Sequence, residues 1–463
     1  MTKNILYLLK LKFRKMKKLL LNLLLILFAV NVGLSQTNIV KLSGIITNPN
    51  GDEALIKNDS GFVKYFELDK KGKFKDTLSI PKNGFYTFSD GRETSTIYLE
   101  NGFNIKLSVN TEEFDETINY EGIGSDCNNF LAQKYMINEL NFADYSIYNL
   151  DEKEFLHKQD SINDLFSKML DKVDNTNFVV FQKKEINYNY LISLKNYEPY
   201  HQYFSKDMAF KASDKISKIV ADIDFTNAED YELFDTYKAL VNTYYLNDIS
   251  DLDKIEPALL AIKSIKDNSI REGVLSSLLN DFFTIRNEHL VDLNNAINKI
   301  CTDKDYLEKF AEKFKTLESL LKGKPSAKFS YTDVNGKTVN LDDFAGKFVY
   351  IDVWATWCSP CIGEIPHLKK LEEDYHDKNI VFVSISVDNK NAYDKWKTMV
   401  AEKELKGYQL YADKSWKSDF IRAYQINSIP TFILIDDKGN IISASATRPS
   451  NPETRAIFDK LLK

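Results

Sequence analysis

The sequence is poor in cysteine and in long hydrophobic runs. Only four cysteines occur among 463 residues, which excludes a small scaffold held together by many disulfides. Hydrophobic residues make up 43% and charged residues 28% of the chain. This balance is that of a globular protein and excludes disordered, fibrous and polytopic membrane chains. The length predicts about three domains.

Outside its first residues the chain also lacks positive charge. Residues 1–36 contain seven basic and no acidic side chains. Subtracting these seven from the 61 Lys and Arg residues leaves 54 basic against 67 acidic side chains, a net charge of −13. The chain after residue 36 thus lacks the excess of positive charge that nucleic-acid binding requires. We therefore expect no nucleic-acid partner.

The first 36 residues have the pattern of a secretory signal peptide. Basic residues between Lys10 and Lys18 precede an apolar run, Leu19–Val32, and small residues follow near Ser35. The run is too short for a comfortable membrane span. We expect export with cleavage near Ser35, although an uncleaved anchor and a start at Met16 stay open.

Three patterns follow the signal. Residues 37–120 contain short β-branched and aromatic runs separated by turn signals, which predicts a small all-β sandwich or barrel. Residues 121–321 show helical periodicity, for example at Phe155, Ile162 and Phe166. Aromatic residues between Tyr188 and Phe204 in this region either pack between helices or line a ligand groove.

Residues 322–463 alternate between strand and helix patterns. Apolar strands are predicted over 348–354 and 380–387, helices over 359–375, 392–404 and 416–424, a hairpin over 431–443 and a last helix over 452–462. This order indicates a mixed sheet covered by helices. The chain is therefore predicted to be multidomain, with a β domain, an α-helical region and an α/β domain.

The α/β domain contains a Cys-x-x-Cys motif, Cys358-Ser359-Pro360-Cys361, at a predicted strand–helix junction. The helix N-terminus offers unpaired N–H groups and a partial positive charge, which lower the pKa of a thiol at Cys358. Two intervening residues allow Cys361 to reach the first sulfur and to resolve a mixed disulfide. The spacing therefore predicts redox chemistry.

Other chemistries find less support. A zinc site would need two further ligands, but there is no second Cys-x-x-Cys and the five histidines are scattered. We expect no metal and no cofactor. Cys127 and Cys301 could form a structural disulfide in an exported protein or remain two buried thiols, and the sequence does not separate these alternatives.

The α/β domain resembles the exported ResA/TlpA-like branch of the thioredoxin superfamily, the thiol-disulfide oxidoreductases. The resemblance covers Phe329–Leu462. Five ordered stretches carry it: Asp333–Lys337 with Leu341, Trp354–Cys361, Pro366, Ile429-Pro430-Thr431 and Asp436–Gly439. The arrangement of the whole chain also resembles exported proteins of Bacteroidetes-like bacteria, which implies a periplasmic location.

The resemblance implies a role for each matching residue. Cys358 would be the attacking thiolate and Cys361 the resolving thiol, and the two would form the redox-active disulfide. Asp352 would be a buried acid that accepts a proton from Cys361. An isolated charge inside a strand supports that assignment.

Four further positions are implied to shape the site. Pro430 would be cis, with the backbone of Ile429 free to pair with an extended substrate. Trp357 would form part of the docking surface. Glu364, one helical turn after Cys361, could tune the thiol pKa values, but it could also be an ordinary solvated helix residue.

The resemblance further implies partners. Clients would be proteins with disulfides or thiols, apocytochrome c among the candidates, and a membrane thiol reductant would recharge the site. Ser359-Pro360 carries no basic side chain, so we expect a reducing couple of roughly −200 to −280 mV.

Two alternatives stay open for the function. The same chemistry could run in the oxidase or isomerase direction, or residues 38–321 could be a binding or assembly module for which the redox domain is secondary. The client and the oligomeric state are not indicated by the sequence.

Overall fold

Residues 39–143 and 145–463 are described by the structure, a computed structural model. The predicted signal peptide, 1–36, with Met16, lies outside the described residues. The chain divides into two compact units, one ending at Asp224 and the other beginning at Phe225. The helices predicted between 121 and 321 are thus shared between the units, and the four predicted segment boundaries stay predictions. Within the described residues, no helix combines the length and apolar character needed to cross a membrane.

The first unit begins with β structure, as predicted. Its strands are β1 (Ile39–Thr47), β2 (Glu53–Lys57), β3 (Val63–Glu67), β4 (Lys73–Ser79), β5 (Gly84–Ser89), β6 (Thr94–Leu99), β7 (Asn104–Asn110) and β8 (Asn119–Ile123). They form two four-stranded sheets, with strand orders β4-β1-β7-β8 and β3-β2-β5-β6. In β1, Val40 and Leu42 are buried and Lys41 is exposed, the alternation expected when one face of a sheet covers a core.

Helices complete the first unit. Their bounds are α1 (Phe114–Thr117), α2 (Ser125–Phe142), α3 (Glu152–Leu170), α4 (Thr176–Ser205) and α5 (Asp214–Ala221). Side chains of both sheets and of α2, α3 and α4 share one hydrophobic core. The aromatic residues of α4 include Tyr197, which is buried and stacks on Phe155 with ring centroids 4.2 Å apart. Tyr197 therefore packs between helices, which is the first of the two alternatives given above for these aromatic residues.

Asn128 connects α2 to the second sheet. Its amide oxygen accepts a hydrogen bond from the Tyr98 backbone N–H at 2.7 Å, and its amide nitrogen donates to the Tyr98 backbone oxygen at 3.0 Å. Asn128 is fully buried. The side chain thus satisfies both backbone groups of one residue at the end of β6, which would otherwise be buried without partners.

The second unit begins with helices. They are α6 (Ala228–Leu233), α7 (Asp235–Leu246), α8 (Ile255–Ser264), α9 (Asn268–Ser277), α10 (Leu290–Ile300) and α11 (Lys304–Glu318). Between α9 and α10 the chain makes a π-helical turn, Leu278–Phe282, and then continues irregularly to His289.

The remaining elements of this unit form the predicted α/β domain. They are β9 (Ser330–Asp333), β10 (Thr338–Asn340), β11 (Phe348–Trp354), α12 (Ser359–Asp374), β12 (Ile380–Ser386), α13 (Tyr393–Glu402), β13 (Tyr408–Tyr411), α14 (Asp419–Ala423), β14 (Thr431–Ile435), β15 (Ile441–Ser443) and α15 (Pro452–Leu461). The sheet has the order β10-β9-β13-β12-β11-β14-β15. Strand β11 runs parallel to β12 and antiparallel to β14.

Strand β13 was not predicted from the sequence pattern. It has four residues, too few for a periodic signal, and it is defined by pairing parallel with β12 and antiparallel with β9. Hydrophobic cores lie on both faces of the sheet. One contains Val349, Ile351 and Val353, and the other contains Tyr350. The alternation along β11 therefore places Asp352 on the face of Tyr350.

Replacing Asn128 tests the account of the first unit. We expect Asn128→Ala to lower the free energy of unfolding by about 1–3 kcal/mol, because the Tyr98 N–H and C=O groups lose their partners inside the protein. Urea denaturation of the full chain measures this.

Asn141→Ala is the matched control for that measurement. Asn141 lies in the same helix, and its side chain donates only to the Ile137 backbone oxygen one turn earlier. Equal effects of the two substitutions would contradict the special role of Asn128.

Candidate active site

Cys358 and Cys361 lie where β11 passes into α12, and a disulfide joins them. Cys358 is the N-cap residue of α12, and its sulfur accepts a hydrogen bond from the Cys361 backbone N–H at 3.2 Å. Pro360 occupies the first turn of the helix, where its missing N–H costs nothing. The local sequence thus places the first sulfur at the positive end of the helix dipole, where a thiolate is stabilised.

Solvent access to the site differs between its residues. Both cysteines retain 4% of their surface exposed, whereas Trp357 next to them is 54% exposed. The Trp357 ring lies 6.5 Å from the ring of Trp416, measured between centroids. A large apolar side chain left in water beside a nearly buried disulfide is a feature of interaction surfaces.

The loop before β14 contributes the Ile429–Pro430 peptide bond, which is cis, as the resemblance implied. Ile429 is half-buried and packs against the hydrophobic core that contains Cys358 and Cys361. Ser428 is exposed, and its backbone oxygen accepts a hydrogen bond from the Thr431 hydroxyl at 2.7 Å. The loop is therefore fixed on both sides of the cis bond.

Asp352 is the acid in strand β11. Desolvation, and after it the nearby carboxylates of Glu364 and Glu372, raise the pKa of Asp352 to about 8, against a hydrogen bond from Ser384 that lowers it. Part of the side-chain surface remains exposed, so we assign the shift to the low-dielectric surroundings and the two like charges together. A carboxyl group with this pKa can exchange a proton near neutral pH.

Glu364 has two partners of its own. Its carboxylate accepts hydrogen bonds from the Ser450 backbone N–H at 3.0 Å and from the Ser450 hydroxyl at 2.8 Å. Glu364 therefore tethers α12 to the turn before α15 and is more than a freely solvated helix residue. The negative charge of Glu364 also raises the pKa of Asp352.

Glu372, on α12, is also a buried acid. Desolvation raises the pKa of Glu372 to about 7, opposed by the positive charges of Lys406 and Lys369. Sequence reasoning did not single it out, because a charged residue in the fourth turn of a helix looks like an ordinary surface position.

Asp388 is the other residue that the sequence analysis missed. Its side chain is fully buried directly after β12. The carboxylate accepts hydrogen bonds from the Thr356 backbone N–H at 2.9 Å, the Thr356 hydroxyl at 2.8 Å and the Ser386 hydroxyl at 2.8 Å. Charge-assisted bonds of this kind are strong. Asp388 therefore fixes the loop that leads from β11 to Cys358.

Cys127 and Cys301 are both free thiols in the structure. Burial is the main cause that raises the pKa of each, to about 12 for Cys127. Such thiols are poor nucleophiles at neutral pH. Within residues 39–143 and 145–463, no group of three or more His, Cys, Asp or Glu side chains is arranged to hold a metal ion.

Comparison with known proteins agrees with this geometry. The Redoxin family model matches residues 321–462. A thiol-disulfide oxidoreductase ResA from Bacillus cereus is 33% identical over 129 residues, covering 28% of this chain and 72% of the relative. Another ResA from a second B. cereus strain is 32% identical over 152 residues, covering 33% of this chain and 83% of the relative.

Part of this chain is also similar in sequence to a protein of solved structure. The solution structure of a Bacteroides vulgatus protein assigned to the thiol-disulfide oxidoreductases is 54% identical over 31% of this chain and 93% of its own, with a TM-score of 0.28. The fold and the dithiol site define a thiol-disulfide oxidoreductase. The chain belongs to the ResA family of these enzymes, within the thioredoxin superfamily.

The pH dependence of the reaction tests the role of Asp352. We expect the rate at which Cys361 resolves a mixed disulfide to rise with pH around an inflection near 8, because only the ionised carboxylate accepts the proton. Asp352→Asn should be slower and lack this inflection. Single-turnover rates between pH 5 and 10 measure it.

Two neighbouring substitutions sharpen this test. Glu364→Gln and Glu372→Gln each remove a negative charge that raises the pKa of Asp352. Each should therefore move the inflection to lower pH without abolishing it. An unchanged profile in Asp352→Asn would contradict the assignment.

A second prediction concerns Asp388. Asp388→Asn should lower the free energy of unfolding by about 2–4 kcal/mol, because an amide nitrogen then faces the Thr356 and Ser386 donors inside the protein. Thr356→Val removes only one of the bonds and should cost about 1 kcal/mol.

A double-mutant cycle between these two positions checks that they act through the same contact. Thermal and urea unfolding of the four proteins supply the free energies. Strictly additive effects of the two substitutions would show that the Asp388–Thr356 contact does not stabilise the loop.

Proposed function

We propose that the protein is an exported, periplasmic enzyme that reduces disulfides of client proteins through the Cys358–Cys361 dithiol. The observation that carries this proposal is the pair of cysteines at the N-terminus of α12, in one core with the cis-proline loop. Export is supported by the basic and apolar pattern of residues 1–36.

The reaction follows from the positions of the two sulfurs. The Cys358 thiolate attacks one sulfur of the client disulfide, and the other client sulfur leaves as a thiolate. Cys361 then loses its proton to Asp352 and attacks the Cys358 sulfur, which releases the second client thiol. The client gains two electrons and two protons, and the enzyme is left with the Cys358–Cys361 disulfide.

Cys358 is the attacking residue because of its position. Its sulfur caps the helix and accepts the Cys361 N–H, both of which stabilise a negative charge. Cys361 lies inside the first turn of α12 and is disulfide-bonded to Cys358. This position suits the resolving role.

Client docking uses two surfaces beside the disulfide. The backbone of Ile429, next to the cis bond, pairs with an extended client segment in the manner of an added strand. Trp357, exposed and close to Trp416, supplies apolar contact. A segment bound to both surfaces lies across the nearly buried sulfurs.

The direction of electron flow is reduction of the client. Ser359 and Pro360 between the cysteines carry no positive charge that would make the thiolate unusually stable. After each turnover the enzyme is oxidised, so an upstream membrane thiol reductant must restore the dithiol.

Equilibration with glutathione tests this direction. We expect a two-electron couple with a potential of roughly −200 to −280 mV, because the site lacks the features of a strong oxidant. Mass spectrometry after acid quenching and alkylation gives the oxidised fraction. Cys358→Ser should abolish the couple, and a potential above about −150 mV would reverse the proposed direction.

A further inference from the structure

The helical part of the second unit contributes a segment that lies against the redox site. This segment, residues 278–289, joins α9 to α10 and begins with the π-helical turn Leu278–Phe282. Phe283 follows it and is fully buried, with its ring 5.0 Å from that of Phe310 and 6.2 Å from that of Phe314. The segment is therefore anchored on α11.

The other side of the segment faces the redox domain. Ile285 packs against the hydrophobic core that contains Cys358 and Cys361. Its neighbour Arg286 donates a hydrogen bond from Nη2 to the Ser428 hydroxyl oxygen at 3.3 Å. Ser428 directly precedes the cis Ile429–Pro430 bond. The Arg286 guanidinium is thus held one residue from the backbone at which a client docks.

The charge of Arg286 is available to a client. Among the described residues, arginine forms ion pairs at Arg92 with Glu93 and at Arg455 with Asp374, and Arg286 has no such partner. Arg286 and Ser428 are both exposed. A guanidinium has five N–H donors in a planar fork, and the bond to Ser428 uses one of them. Enough donors remain for bidentate contact with a carboxylate.

The position of Arg286 determines which client side chains can contact its guanidinium. An extended client advances about 3.3 Å per residue, so in the proposed docking along Ile429 the client residues next to the target cysteine pass the Ser428 end of the loop. An aspartate or glutamate there would meet the free part of the guanidinium. A lysine at the same position would be repelled.

We propose that Arg286 is a specificity-determining residue that selects clients with an acidic side chain within about two residues of the cysteine under attack. The proposal rests on the proposed docking of clients along Ile429. The helical part of this unit thereby takes part in client choice. It supplies the positive charge of Arg286, and the redox domain supplies the cysteines that react.

Peptides of matched sequence test the proposal. Each has one cysteine, capped as a disulfide with 2-thiopyridine, and either Asp, Asn or Lys two residues before it. The reduced full chain should favour the Asp peptide over the Lys peptide by about fivefold in kcat/KM, mostly through KM, as expected for an exposed ion pair. The preference should fade as salt is raised.

Substitutions at Arg286 then test whether this residue causes the preference for the Asp peptide over the Lys peptide. Arg286→Gln should bring the ratio close to one while leaving the Asn peptide unaffected, and Arg286→Glu should invert it. Lys315→Gln, which removes an equal exposed charge from α11, should keep the wild-type ratio.

Two results would overturn the proposal. One is an unchanged ratio in Arg286→Gln, with all peptides still reduced, which would leave the proposed function standing. The other is failure of the wild-type enzyme to reduce any of the peptides, which would overturn the proposed function and this inference with it.

Discussion

The structure of the active site depends on the hydrogen bonds that Asp388 accepts from Thr356. Two bonds of 2.8–2.9 Å tie the loop after β11 to the end of β12, and two residues later Cys358 begins α12. The position of the first sulfur at the helix N-terminus, and hence its reactivity, follows from where this loop ends. A buried carboxylate is tolerated here because each of its bonds comes from a donor that would otherwise be buried without a partner.

A second feature of the active site is a group of acidic side chains around this junction. Asp352, Glu364 and Glu372 interact electrostatically, and burial with mutual repulsion gives Asp352 a pKa of about 8. The cost of burying these charges is offset when one of them is protonated. Glu364 also fixes α12 to the turn before α15 through Ser450. One side chain thus contributes both to the position of the helix and to the titration of the acid in the sheet.

Much of the redox domain could be predicted from the sequence, since its signals are local. The Cys358–Cys361 spacing, the lone Asp352 in an apolar strand and the β14 run are each visible within a few residues, and the structure places each element as expected. Asp388 and Arg286 could not be found in this way, because their partners lie 32 and 142 residues away. Strand β13 was not predicted for a related reason. Its four residues are defined as a strand only by their pairing with β12 and β9.

Trapping the mixed disulfide with a client tests directly whether Cys358 attacks and Cys361 resolves. In a Cys361→Ser chain, Cys358 can attack a client disulfide but the mixed disulfide cannot be resolved. Cells expressing this chain should accumulate disulfide-linked adducts that disappear on reduction, whereas Cys358→Ser should give none. Adducts formed equally well through Cys361 alone, or none in either chain, would contradict a reductase in which Cys358 attacks and Cys361 resolves.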